Sequence, residues 1–334
     1  MKILKIATLG LAMAAVGHVG VADAKLKRIT IGSNKQGSVF FLLASGFAKT
    51  FQKELKIRST AQPHAGSSVY IPLINNGEIT MGLNNGMDSG AAARGQKPFG
   101  KKMQNFYGIA RVWILPYAMM VKADSPIKRI EDLKGKRVVI DVKSVVSLAN
   151  LNKAILATGG VMPGDVTAVN SAGVVQNINL VVEGRADAAT VAAGMPAVRK
   201  AHATVGVRML SLGPNNSAEM FAEMAPGSRP FVQKALKRYP FIRKDQLITA
   251  FDAYLNSGKA VSSDDAYKVA KVLHTKWKDL QKAYGPLRGV GQNKIAPPTV
   301  SHPYHPGAIK YYKEAGIWSA ANEKANQVAS AAAK

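Results

Sequence analysis

Arg28-Ile-Thr-Ile-Gly-Ser-Asn-Lys-Gln-Gly-Ser-Val-Phe40 runs from a β-branched stretch into a polar turn with two glycines. Ser38 to Leu55 then carries Phe40, Leu43, Phe47 and Phe51 at helical spacing, and Ile57 to Ala61 is again β-branched. Strand, helix and strand in this order predict a βαβ unit, and with it an α/β protein of mostly parallel sheets.

The pattern repeats outward. Ser68 to Asn75 reads as a helix, Thr80-Met-Gly-Leu83 as a strand, and Asp88 to Arg94 as a helix closed by Gly95. The long apolar stretch Phe106 to Val121 contains Pro116, so it is expected to run between domains or along a sheet edge. A second βα series begins at Arg137-Val-Val-Ile-Asp141, with a helix over 145–157, a strand over 166–169, a helix over 174–182 and a strand over 186–191. Beyond it the spacing predicts a strand over 207–210, a helix over 231–239, and an extended run over 248–255. A helix over 264–284, capped by Ser262 or Ser263, and a frayed Ala-rich tail over 320–334 complete the chain. Two α/β lobes joined by more than one crossing imply a cleft between them, with ligands at strand C-terminal ends beside helix N-termini.

The first 24 residues read as an export signal. Lys2 and Lys5 precede the apolar run Ile6 to Val21, and Ala22-Asp23-Ala24 has the small-residue spacing of a cleavage site, so the mature chain is expected to start at Lys25 in the periplasm. No later stretch is apolar for the roughly 18 residues of a second anchor. The mature length exceeds one compact core, so two domains are expected. The chain has no cysteine, which excludes disulfides, Cys-ligated zinc and a thiol nucleophile. Its formal charge is +25, or +24 without the leader, which favours anionic partners. The basic residues are spread along the chain without a Lys/Arg block, so nucleic acid is not the expected partner.

The candidate ligand residues lie in the βα turns. In the first turn, Ser33, Asn34, Lys35, Gln36, Gly37 and Ser38 offer donors and close backbone approach, with Ser38 able to cap the helix. The turn has neither the closing Gly-Lys-Ser/Thr of a P-loop nor a Gly-x-Gly-x-x-Gly pattern. His64-Ala-Gly-Ser-Ser68 and Asn84-Asn85-Gly86 follow the next two strands in the same way, which puts His64, Gly66, Ser67, Ser68, Asn84 and Asn85 at one sheet edge. Ser144 and Ser147 occupy the equivalent turn of the second series, where ordinary helix capping is the competing reading. Arg111 and Trp113, in the inter-lobe stretch, would suit an organic acid through pairing and stacking, with core packing as the alternative for Trp113. No nucleophile elbow, His-Glu-x-x-His or acidic cluster points to catalysis, so neither an enzyme nor a cofactor is expected. His302 and His305, three apart in a Pro-rich loop, read as turn residues rather than metal ligands.

Ile31 to Ala44, Gly66-Ser-Ser-Val69 with Asn76-Gly-Glu78 and Met81-Gly-Leu83, and above all His305-Pro-Gly-Ala308 with Tyr311-Tyr-Lys-Glu-Ala-Gly316, resemble the TAXI group of solute receptors that serve TRAP transporters. The resemblance is scattered over nearly the whole mature chain. It implies a type II periplasmic binding protein-like fold, a ligand such as a dicarboxylate, oxo acid or glutamate, and membrane permease subunits as partners of a monomeric receptor. By matched position it places Ser33, Gln36, Gly37, Ser38, Phe40, Gly66, Ser67 and Ser68 against the ligand. Asn34 and Lys35 stand where the group usually has glycines, and the turn Lys143 to Ser147 lacks glycine. The expected division is 25–112 with about 208–248 as the first lobe and 113–207 with about 249–290 as the second, 291–334 packing across both. An accessory of a membrane sensor kinase, a secreted hydrolase and a polyanion-binding protein are the alternatives weighed.

Overall fold

The computed structural model describes residues 26–334. The expected leader and its cleavage after Ala24 lie outside the described residues. The first series is β1 (Arg28–Ser33), α1 (Val39–Leu55), β2 (Arg58–Pro63), α2 (Ser67–Asn76), β3 (Met81–Asn85) and α3 (Gly86–Ala93). β1 pairs in parallel with β2 and with β3, so all three strands end at one edge and each is followed there by a helix. α1 forms where its periodicity says, because Phe40, Leu43, Phe47 and Phe51 all bury in the core. The Ser38 side chain accepts the Phe41 N–H at 3.1 Å to start α1, and Lys56 in the left-handed region, φ 59, stops it.

The rest of the chain is β4 (Tyr107–Lys122), β5 (Arg137–Val142), α4 (Ser147–Ala157), β6 (Thr167–Ser171), α5 (Val174–Val182), β7 (Ala189–Ala192), α6 (Pro196–Val205), β8 (Val207–Met209), α7 (Ala218–Met224), β9 (Ser228–Gln233), β10 (Gln246–Ser257), α8 (Ser263–Thr275), α9 (Trp277–Ala283), α10 (Pro306–Glu314) and α11 (Ala320–Ala333). The strands do not form two separate parallel sheets. β4 and β10 run antiparallel through both lobes and fuse them into one mixed eight-stranded sheet, with β3 on one half of β10 and β9 on the other, and β7 and β8 on the far half of β4. Parallel β5 and β6 extend this sheet at Val138 and Ala188, where Arg137 and Asp187 also pair at 2.6 Å.

Because β10 is a return strand, it reverses the expected grouping of the later segments. β8 and β9 pair with the far halves of β4 and β10, so the stretch expected in the first lobe, about 208–248, packs with the second. Residues 253–257 pair with β3 and α8 packs on α1, which returns much of 249–290 to the first lobe. Residues 291–334 do not straddle the lobes in the expected way: Gly108 N–H donates to Pro303 O at 2.8 Å, the Tyr312 hydroxyl donates to Ile109 O at 2.7 Å, and α10 lies on α8.

Three local expectations change. Residues 231–233 are strand, not helix, and Pro230 is accommodated because β9 is an edge strand. The helix expected over 264–284 is two, capped by Ser262 and broken at Lys276. The Ala-rich tail is a helix, fixed by a Ser319–Asn322 capping box and by Asn322 Nδ2 donating to Ala296 O at 2.9 Å.

Candidate functional site

The polar turns after β1, β2 and β3 meet the turns of the second lobe directly. Ser68 N–H donates to Ser144 O at 3.2 Å, and Val146 N–H donates to the Ser68 hydroxyl at 3.1 Å. Ala197 N–H donates to Gly37 O at 3.3 Å. The approach is closest at Gly66, where a Cβ would lie 2.2 Å from the Ser144 carbonyl oxygen. Glycine is therefore required there by contact with the opposite lobe and not by backbone conformation, since its φ of 175 is ordinary extended chain.

At the centre of this seam lies Asp88, fully buried in the first turn of α3. The Ser67 hydroxyl and Asn85 Nδ2, the latter at 3.0 Å, donate to its carboxylate from the first lobe. Ser147 N–H donates from the start of α4 in the second lobe, at 3.3 Å. Desolvation raises the Asp88 pKa, and the hydrogen bonds from Ser147, Ser67 and Asn85 oppose the rise. Sequence reading missed this residue. Asn85 accepting the Asp88 N–H at 2.7 Å is an ordinary cap signal, and nothing local shows that the other lobe will cover the carboxylate.

Several buried polar atoms at the seam have no hydrogen-bond partner. Among the described residues they include His64 Nε2 in the first lobe and the Ser144 hydroxyl in the second; Asn84 Nδ2, in the interior of the first lobe, has no partner there either. Asn84 is otherwise held, its Oδ1 accepting from Asn256 Nδ2 at 3.1 Å, and Asn256 Oδ1 meets His302 Nε2 at 2.7 Å. His64 packs on Tyr70 with centroids 5.4 Å apart, and burial lowers its pKa, which favours the neutral ring. A buried polar atom without a partner costs free energy unless a ligand or water satisfies it.

The sequence-selected residues divide accordingly. Gly37, His64, Gly66, Ser67, Ser68, Asn85, Ser144 and Ser147 gather at the seam, whereas the Asn84 side chain turns to Asn256 in the interior of the first lobe. Asn34 is buried beside Tyr70, its Oδ1 3.5 Å from the hydroxyl, whereas Lys35 and Gln36 are exposed. Ser33 is tied to the backbone of Asn34 and Gln62, Ser38 serves as the α1 cap, and Phe40 is core. Arg111 is elsewhere. The β4–β10 ladder shifts register between Ala253, opposite Trp113, and Tyr254, opposite Arg111. This bulge turns the two side chains to opposite faces. Trp113 packs toward Gly194 and Val39, while Arg111 pairs with Asp252 at 3.4 Å on the other side. His302 and His305 also diverge: His305 caps α10, and among the described residues no group of three acidic or histidine side chains is placed to hold a metal.

A structure described as a periplasmic transporter matches with a TM-score of 0.55 at 13% identity, over 90% of this chain and 95% of that one. A protein of Bordetella bronchiseptica RB50 matches with a TM-score of 0.51 at 14% identity, over 92% and 89%. The alkanesulfonate-binding protein of Xanthomonas axonopodis pv. citri bound to MOPS gives 0.44 at 16% identity, over 91% and 84%. The fold is that of type II periplasmic binding proteins. The family model described as NMT1-like covers residues 29–316, and the chain belongs to the NMT1-like family.

Proposed function

We propose that this chain is a non-catalytic periplasmic solute receptor that closes its two lobes on a small carboxylate and delivers it to a TRAP-type membrane permease. The observation that supports the reading most is the meeting of polar turns from the two lobes, Ser68 N–H on Ser144 O at 3.2 Å and Val146 N–H on the Ser68 hydroxyl at 3.1 Å, with the Ser144 hydroxyl left without a partner among the described residues. That hydroxyl can donate to a carboxylate, beside the N-termini of α2 and α4 whose partial positive charge favours an anion. The resemblance of residues 305–316 to TAXI receptors supports the TRAP assignment.

Among the three ligand types that resemblance implies, the seam favours an amino acid such as glutamate over a dicarboxylate or oxo acid. A buried carboxylate, Asp88, repels a second one but pairs with an ammonium group, leaving the Ser144 hydroxyl for the ligand carboxylate. A thermal-shift and calorimetric screen of amino acids, C4 to C6 dicarboxylates and oxo acids tests this, because ligand that binds only the folded state raises the melting temperature. Saturable binding of an amino acid, with weaker response to its deaminated oxo acid, is the expected result. A flat response to every organic acid, with binding of heparin instead, would overturn the receptor reading.

A further inference from the structure

The face of β4 and β10 opposite Trp113 borders a cavity of about 620 Å³, within the size range of small-molecule sites. Three guanidinium groups line it: Arg94 at the end of α3, Arg111 on β4 and Arg229 on β9. One carboxylate, Asp252, answers them, with Arg111 at 3.4 Å and Arg229 at 3.1 Å. Among the described residues Arg94 has only uncharged hydrogen-bond partners, Ser301 O at 3.4 Å and Gln96 Oε1 at 3.3 Å. Arg111 Nε is buried and has no hydrogen-bond partner among the described residues. The neighbouring His302 is fully buried, with a pKa lowered to about 3 by desolvation and by Arg94, so it adds no charge.

The cavity thus holds three cations against one anion, and one buried donor is left unspent. Partly desolvated cations without a counter-charge are costly, and the deficit is of a kind an oxyanion repairs by bidentate pairing. Two small residues keep the space open. Gly90 lets Arg94 fold along its own helix, where a Cβ would sit 3.0 Å from the guanidinium, and Gly227, at φ +94, forms part of the wall. The Tyr254 ring supplies an apolar side.

We propose that this cavity is a second ligand site, separate from the seam, for a small oxyanion carrying two or more negative charges. Arg94 comes from the first lobe and Arg229 from a strand of the second, so an occupant held by both braces the lobes from behind the crossing strands.

The test is calorimetric titration of the mature chain with inorganic pyrophosphate at two salt concentrations, alongside circular dichroism of every variant. The expected result is saturable binding weakened at least tenfold by Arg229→Ala and by Arg94→Ala, and tightened severalfold by Asp252→Asn. Ser144→Ala at the seam and Lys259→Ala on the exposed surface should leave it unchanged. Arg229 is partly exposed, its side chain at 40%, so its truncation spares the core. Absence of pyrophosphate binding overturns the proposal. So does loss of binding in Ser144→Ala, which places the anion at the seam, or equal weakening in Lys259→Ala, which reduces it to general surface charge.

Discussion

Gly66→Ala separates lobe closure from folding more cleanly than any other single change. The added Cβ would start 2.2 Å from Ser144 O and 2.6 Å from its hydroxyl oxygen. An ordinary carbon–oxygen contact is about 3.3 Å, so the opposing turn must recede by about 1 Å. The neighbouring bonds across the seam, Ser68 N–H to Ser144 O at 3.2 Å and Val146 N–H to the Ser68 hydroxyl at 3.1 Å, cannot survive that displacement. Two net hydrogen bonds at about 0.5–1.5 kcal/mol each remove about 1–3 kcal/mol from the closed state, which is about 5–150-fold in affinity for a ligand that requires closure. The alanine itself is unstrained, because the backbone there is extended, so each lobe should fold as before. Calorimetry with the best ligand of the screen reads the affinity, small-angle scattering reads the radius of gyration with and without ligand, and thermal melting reads stability. Weaker binding, a larger ligand-bound radius and a melting temperature within a few degrees of the parent are expected. Unchanged affinity and radius would refute the idea that this contact belongs to closure, and a melting temperature falling in proportion to affinity would make it an ordinary folding contact.

Ser144→Ala should cost about tenfold in ligand affinity with no loss of stability, because its hydroxyl bonds to nothing among the described residues; equal affinities by calorimetry would remove it from the site. Ser38→Ala should do the opposite, lowering stability by about 1 kcal/mol through loss of the α1 cap while sparing affinity, as urea unfolding and calorimetry would show. Asp88 has a raised folded pKa, so folding takes up a proton between the ordinary carboxylate range and the raised value. In that window its contribution to stability grows as pH falls, and Asp88→Asn should flatten that part of the profile. Urea unfolding across about pH 4–7 checks the sign, and an unaltered slope in the variant would assign the effect to another group.

What the sequence made legible follows from the range over which each signal acts. β1, α1 and β2 could be read because Phe40, Leu43, Phe47 and Phe51 repeat on one helical face and the flanking strands are short and β-branched. The gathering of His64 to Ser68, Asn84 and Asn85 followed from parallel pairing alone, which brings successive βα turns to one edge. Long-range features were hidden. The bulge that parts Arg111 from Trp113 depends on how β10 pairs with β4, more than a hundred residues away, and strict alternation puts both on one face. Residues 231–239 carry helix-like spacing, but the edge of β10 is vacant beyond β3 and recruits the segment as a strand. Gly66 and Asp88 owe their roles to the opposite lobe, which no local pattern encodes.

The location of charge also separates how a ligand arrives from how it is held. An excess of +25 on the chain attracts anions over a distance limited by the Debye length of about 8 Å at physiological salt, and acts on encounter. Inside the seam the sign is reversed, because the fully buried charge there is Asp88. Its carboxylate already accepts the Ser147 N–H at the start of α4, the donor that a bound anion would otherwise use. On the proposed reading, a simple dianion held at the seam would have to displace or protonate Asp88, whereas a zwitterion could leave it in place and pair with it. Surface attraction and seam selection together favour a ligand that is anionic in sum but carries one cationic group, and this is the physical basis for ranking glutamate above a dicarboxylate.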